Sequence, residues 1–238
     1  MVANAEASAS LDLLRAAKTI ATRRGDKLAA GVLVTGFSQG GAAAMAVGRA
    51  LQHHALPAFH LLALAPISGP YDLPGAELPG IFNGQIAAAI APYYIGYTLT
   101  ALPPVPGPQG RLPPALRRHR GRAVLRQPPP PADHHRATAP ATRPAHHQVP
   151  APLAAPTGAL KAALIRNSTC TGWTPRVPVR LYAASGDTTV THVNAQHCRQ
   201  TIRAHHGHVR LVQLGAVSHN ISDFLALPRI VRWFHTFR

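Results

Sequence analysis

Residues 31–41, GVLVTGFSQGG, constrain this chain more than any other stretch. Val32, Leu33 and Val34 form a short apolar run rich in β-branched residues, the mark of a strand buried on both faces. The small-residue sequence GGAAAMAVGRALQ follows and reads as a helix. Between the two lies Gly36-Phe37-Ser38-Gln39-Gly40, a G-x-S-x-G pattern on a strand-to-helix turn. Such a turn strains the serine backbone and brings its neighbours close. Side chains two positions before and after the serine are expected to clash, so glycine is predicted to be required at both 36 and 40. The turn lifts Ser38 Oγ above the sheet and sets the Gln39 N–H at a helix N-terminus, where it can face an oxyanion.

The rest of the chain supplies the context such a turn needs. Residues 9–24 read as a helix, with Ser10 as cap, Asp12 in the first turn, Arg23 and Arg24 in the last, and Leu13, Ala17, Ile20 and Ala21 on one face. A second buried strand is predicted at 59–65, and residues 81–102 look helical with a break near Pro92. Further on, 157–167 reads as a helix, 177–185 as a strand, 190–204 as a helix and 208–216 as a strand. The final helix is predicted to be kinked or broken at Pro228. Strands alternating with helices imply an α/β fold with a mostly parallel sheet.

A serine needs a base, and the base needs a carboxylate to fix its tautomer. With 15 histidines in the chain, position must choose among them. His219 lies in LGAVSHN, after the 208–216 strand and before the last helix, whereas His53, His54, His205 and His206 have no such context and read as solvated. Asp187 lies in AASGDTTV, just past a strand's carboxyl end, the rim where ligands bind in parallel sheets. Asp72 and Asp223 are its competitors; Asp223 is placed in the first turn of the last helix, where an acid is favoured in any case. The chain order Ser38, Asp187, His219 is that of α/β-hydrolases.

GFSQGGAAAMAVG, LALAPISGPYDLPG, LYAASGDTTV and GAVSHN together resemble an α/β-hydrolase of the lipase, esterase and dipeptidyl-peptidase-like group, over about residues 9–100 and 157–238. ISGPYDL and the YYIGY stretch are particularly similar to secretory lipase relatives. The resemblance implies a catalytic triad of Ser38, Asp187 and His219, an oxyanion N–H at Gln39, and a cap over an acyl pocket. It implies a carboxylic ester or lipid substrate with an apolar acyl group, and no metal or cofactor. Two alternatives stand beside it: a peptidase or amidase using the same three residues, and a non-catalytic basic module whose Arg-rich residues 111–126 touch anionic partners.

Two departures matter. Only 37 residues precede Ser38, whereas the family pattern has several strands there and a loop giving a second oxyanion N–H. The expectation is an incomplete sheet with an open edge, in a truncated chain whose activity is in question. Residues 101–156 differ in kind: they hold 15 of the 24 prolines, eight Arg, five His and a single acid, Asp133. Proline runs build neither helix nor central strand, so the segment is predicted to be irregular. Its composition matches a GC-rich gene read out of frame; a natural Pro/Arg-rich linker is the alternative. The chain thus divides into 1–100 with the elbow, 101–156, and 157–238 with the acid and histidine.

The formal charge of +16 comes from 24 Lys and Arg against 8 Asp and Glu. Only three of those cations are lysine, and aromatics make up 5% of the chain, which disfavours a nucleic-acid face. Cys170 and Cys198 lack zinc-site spacing and can form one disulfide or remain buried thiols. MVANAEASAS has no basic and apolar leader pattern, and no apolar run reaches the roughly 18 residues of a membrane span. Read as given, the chain is expected to be soluble and cytoplasmic, with a secreted parent family an open alternative.

Overall fold

The structure is a computed structural model that describes residues 3–90 and 154–237. Helix α1 (Ala3–Arg24) leads to strand β1 (Gly31–Phe37), helix α2 (Gln39–Gln52) and strand β2 (His60–Ile67). A π-helical turn at Leu73–Glu77 runs into the short helix α3 (Leu78–Phe82). After residue 154 come α4 (Gly158–Asn167), β3 (Val179–Ala183), α5 (Val193–Ala204), β4 (Val209–Gln213) and α6 (His219–Phe234), closed by a 3₁₀ turn at His235–Phe237.

The four strands form one parallel sheet in the order β1-β2-β3-β4, so the segments on either side of 101–156 share a single sheet. Alternation along the strands, broken once by a register shift at Leu62 of β2, divides the core in two. Leu61, Leu64, Val179, Leu181 and Ala183 point to one face, where Ala7 and Leu11 of α1, Met45 and Leu51 of α2, and Cys198 and Ile202 of α5 cover them. Ala63, Ala65, Ile67 and Tyr182 point to the other, against Ala226, Ile230 and Trp233 of α6. The outcome is a three-layer α/β domain. Among the described residues β1 and β4 are the sheet edges, and β1 is only half-buried along most of its length.

The sequence-based elements hold, with four corrections. Helix α1 begins at Ala3, so Ser10 is not its cap; inside the helix, Ser10 Oγ donates to the Glu6 carbonyl. The alanines at 3, 5, 7 and 9 carry the helix back past the expected start, because alanine has the best helix propensity. Its buried face is Ala3, Ala7, Leu11 and Ala21, while Leu13 is 72% and Ile20 56% exposed. The predicted helix at 81–102 stops at Phe82 within the described residues. There Asn83 accepts from the Gln85 N–H and Gly84 takes φ 76°, a local turn that competes with helix. Helix α6 starts at His219 and runs unbroken through Pro228, which also places Asp223 beyond the first turn. Residues 91–102 of the predicted helix, residues 101–153 of the segment expected to be irregular and the Arg-rich 111–126 lie outside the described residues.

Cys170 and Cys198 form a disulfide that ties the loop after α4 to α5, with Cα atoms 5.2 Å apart. No described helix is long and apolar enough to cross a membrane.

Candidate active site

Ser38 follows β1 directly, Asp187 lies four residues past β3 and His219 opens α6 after β4. All three therefore leave the carboxyl ends of parallel strands, the rim where α/β sheets place their ligands. Ser38 and His219 nevertheless descend from opposite edges of the sheet. Strands lie about 4.8 Å apart, so the loop after β4 must carry the histidine back across roughly two strands.

It does so by crossing the acid turn at close range. A Cβ on Gly186 would come within 2.8 Å of the Ala216 carbonyl carbon and 3.0 Å of the Val217 oxygen, so only glycine lets the loop pass there. The Ser185 N–H donates to the Gly215 carbonyl at 2.9 Å and holds the crossing in place. On its far side α6 packs on Ala63, Ala65 and Ile67 of β2.

The elbow itself carries the expected strain. Ser38 adopts φ 58° and ψ −122°, a region that L-residues occupy at a cost of about 1–3 kcal/mol. Its N–H donates to the Ile67 carbonyl at 2.9 Å, which ties the elbow to β2. The glycine requirement is only half as predicted. A Cβ at Gly36 would sit 2.2 Å from the Gly40 carbonyl oxygen, and one at Gly41 would sit 2.7 Å from the Ile67 oxygen. A Cβ at Gly40 meets nothing within 4 Å. The crowded partner of Gly36 is the backbone of residue 40, so position 40 has room for a side chain of its own.

The three predicted residues meet. Ser38 Oγ lies 2.9 Å from His219 Nε2, and His219 Nδ1 lies 2.6 Å from Asp187 Oδ2. With Nδ1–H donating to the carboxylate, Nε2 is left as the acceptor for the serine hydroxyl. The other carboxylate oxygen, Asp187 Oδ1, accepts from the backbone N–H groups of Thr189 and Val190, each at 2.9 Å. Asp187 is thus held by its own turn, and both it and His219 are buried. Gln39 is the first residue of α2, immediately after the serine. Its side chain donates to Glu6 of α1 at 2.6 Å.

Of the two competing acids, Asp223 lies within α6 and Asp72 is engaged elsewhere. Asp72 accepts from the Gly75 N–H at the π-helical turn and sits 2.9 Å from His197 Nδ1 of α5. His53, His54, His205 and His206 are exposed. One contact escaped sequence reasoning: the Phe37 ring lies 4.5 Å from the imidazole of His219 and supports its face. Among the described residues, no group of three or more His, Cys, Asp or Glu side chains could hold a metal ion.

Solved structures that share this architecture include esterases and a lipase. LipA, a rice cell wall degrading esterase from Xanthomonas oryzae, superposes with a TM-score of 0.62 and 26% identity over 96% of this chain and 64% of its own. The chain is related to the α/β-hydrolase superfamily. Two more distant structures share the α/β-hydrolase fold. A candidate hydrolase from Legionella pneumophila matches at TM-score 0.69 and 21% identity, over 99% of this chain and 64% of the other. Candida antarctica lipase A matches at 0.55 and 18%, over 90% and 49%. The chain therefore spans less than two thirds of the length of each of these structures. No protein-family model and no curated protein sequence matches it.

Proposed function

We propose that the chain is a serine hydrolase acting on carboxylic esters. The observation that carries this reading is the continuous hydrogen-bonded line Ser38–His219–Asp187 at the carboxyl rim of the sheet, with the serine on a strained strand-to-helix turn. Ser38 Oγ attacks the ester carbonyl while His219 Nε2 takes its proton. Asp187 holds the imidazole in the productive tautomer and stabilises the imidazolium that forms. The Gln39 N–H, at the start of α2, is the proposed donor to the developing oxyanion. The imidazolium then returns its proton to the leaving alcohol, and water, activated by the same base, releases the acid from the acyl-enzyme.

The ester class is favoured over amides by the likeness to LipA, a cell wall degrading esterase. The disulfide supports action in an oxidising compartment, because such bonds are rare where thiols are kept reduced. The test is turnover of p-nitrophenyl esters beside aminoacyl anilides, with Ser38→Ala as control. Ester hydrolysis that vanishes in Ser38→Ala supports the reading. Preferential anilide cleavage would replace it with a peptidase, and equal activity in wild type and Ser38→Ala would end it.

A further inference from the structure

We propose that Ser68 and Ser222 are positioning residues for the base, so that the end of β2 holds both Ser38 and His219 in register. The inference rests on the Ser38–His219–Asp187 reading and adds what keeps that geometry in place.

Ser222 lies in the first turn of α6 and Ser68 immediately follows β2; they are 0% and 5% exposed. The Ser222 hydroxyl donates to the His219 carbonyl at 2.6 Å. A serine that bonds back to its own helix is ordinary. The second hydroxyl is not: Ser68 Oγ lies 2.8 Å from Ser222 Oγ, across 154 residues of sequence. The direction follows by counting protons. Ser222 has one, already committed to the His219 carbonyl, so Ser68 must donate to Ser222 Oγ. The Ser68 N–H in turn donates to the Tyr182 carbonyl of β3 at 2.9 Å.

The preceding residue, Ile67, completes the arrangement, because its carbonyl accepts the Ser38 N–H at 2.9 Å. One dipeptide, Ile67-Ser68, thus fixes the nucleophile's backbone through a carbonyl and the base's backbone through two hydroxyls. This matters because the histidine arrives over a loop from the far edge of the sheet, and α6 alone would leave its rotation to apolar packing. Ser68 also adopts φ 43°, a conformation that favours glycine, so a serine there runs against backbone preference.

That strain supplies the experiment. Ser68→Gly removes the hydroxyl while relieving the backbone, so it separates positioning from stability. Ser222→Ala removes the middle hydroxyl, and Ser222→Thr restores it. Misplacement of the base predicts a kcat lower by about 10- to 100-fold in Ser68→Gly and Ser222→Ala, with KM changed less than about twofold. Tm should be unchanged or higher in Ser68→Gly, and Ser222→Thr should recover most of the rate. The low-field proton resonance of the His219 Nδ1–H, which needs no turnover, should broaden or move in Ser68→Gly. Wild-type kcat with an unmoved resonance in Ser68→Gly overturns the proposal, as does a rate loss that merely follows a lowered Tm. Full activity in Ser38→Ala would instead remove the triad reading beneath it, so the two failures are distinct.

Discussion

The division of labour around Ser38 is set by single atoms. Asp187 uses one carboxylate oxygen on its own turn and the other on His219 Nδ1, so Asp187→Asn should leave the fold intact while lowering kcat by about 10⁴-fold through the wrong imidazole tautomer. Ester turnover and thermal melting of the same sample check both halves. The glycines make a sharper pair. Gly36→Ala drives a methyl onto a backbone oxygen 2.2 Å away and should cost about 3 kcal/mol or more. Gly40→Ala meets nothing within 4 Å in the first turn of α2 and should be neutral or stabilising by up to about 1 kcal/mol. Urea unfolding of the two variants decides it; equal destabilisation would contradict the asymmetry. That Ser38, Asp187 and His219 converge was legible in the sequence because each follows the carboxyl end of a strand within a few residues. The role of Gly40 was misread because the pattern names residues, whereas the clash involves a carbonyl. The Phe37–His219 and Asp72–His197 contacts were not legible, since a pairwise contact across so much chain leaves no local periodicity.

At the scale of elements, tertiary burial decides what propensity leaves open. Helix α1 follows alanine propensity in starting early, and its buried stripe is set by the face that meets α2. Leu11→Ala should therefore cost about 2–5 kcal/mol, and Leu13→Ala less than about 0.5 kcal/mol, the reverse of what the 13/17/20 stripe implies; chemical denaturation of each tests it. Helix α6 keeps Pro228 in its interior because Ala226, Ile230 and Trp233 on either side are held against the sheet. Strands were the easiest elements to read, since β1, β2 and β3 are short apolar runs bounded by Gly or Pro. The Cys170–Cys198 bond closes a loop of 28 residues, for which chain entropy gives about 3–4 kcal/mol of stabilisation. A lowered urea midpoint after reduction is expected; an unchanged midpoint would show that the loop is already ordered without it.

Across the whole molecule, two stretches far apart in sequence build one parallel sheet, and the site exists only where they meet: Ser38 comes from the first, Asp187 and His219 from the second. A nucleophile activated in this way differs from an ordinary surface serine in reacting with a fluorophosphonate, and the reaction must depend on residues from both stretches. The most direct test is therefore mass-spectrometric mapping of fluorophosphonate adducts on the intact chain, wild type beside Ser38→Ala and His219→Ala. A single adduct on Ser38 in the wild type, absent from Ser38→Ala and strongly reduced in His219→Ala, is the expected result. A folded wild-type chain that takes no label, or labelling of Ser38 that is indifferent to His219, would contradict the assignment.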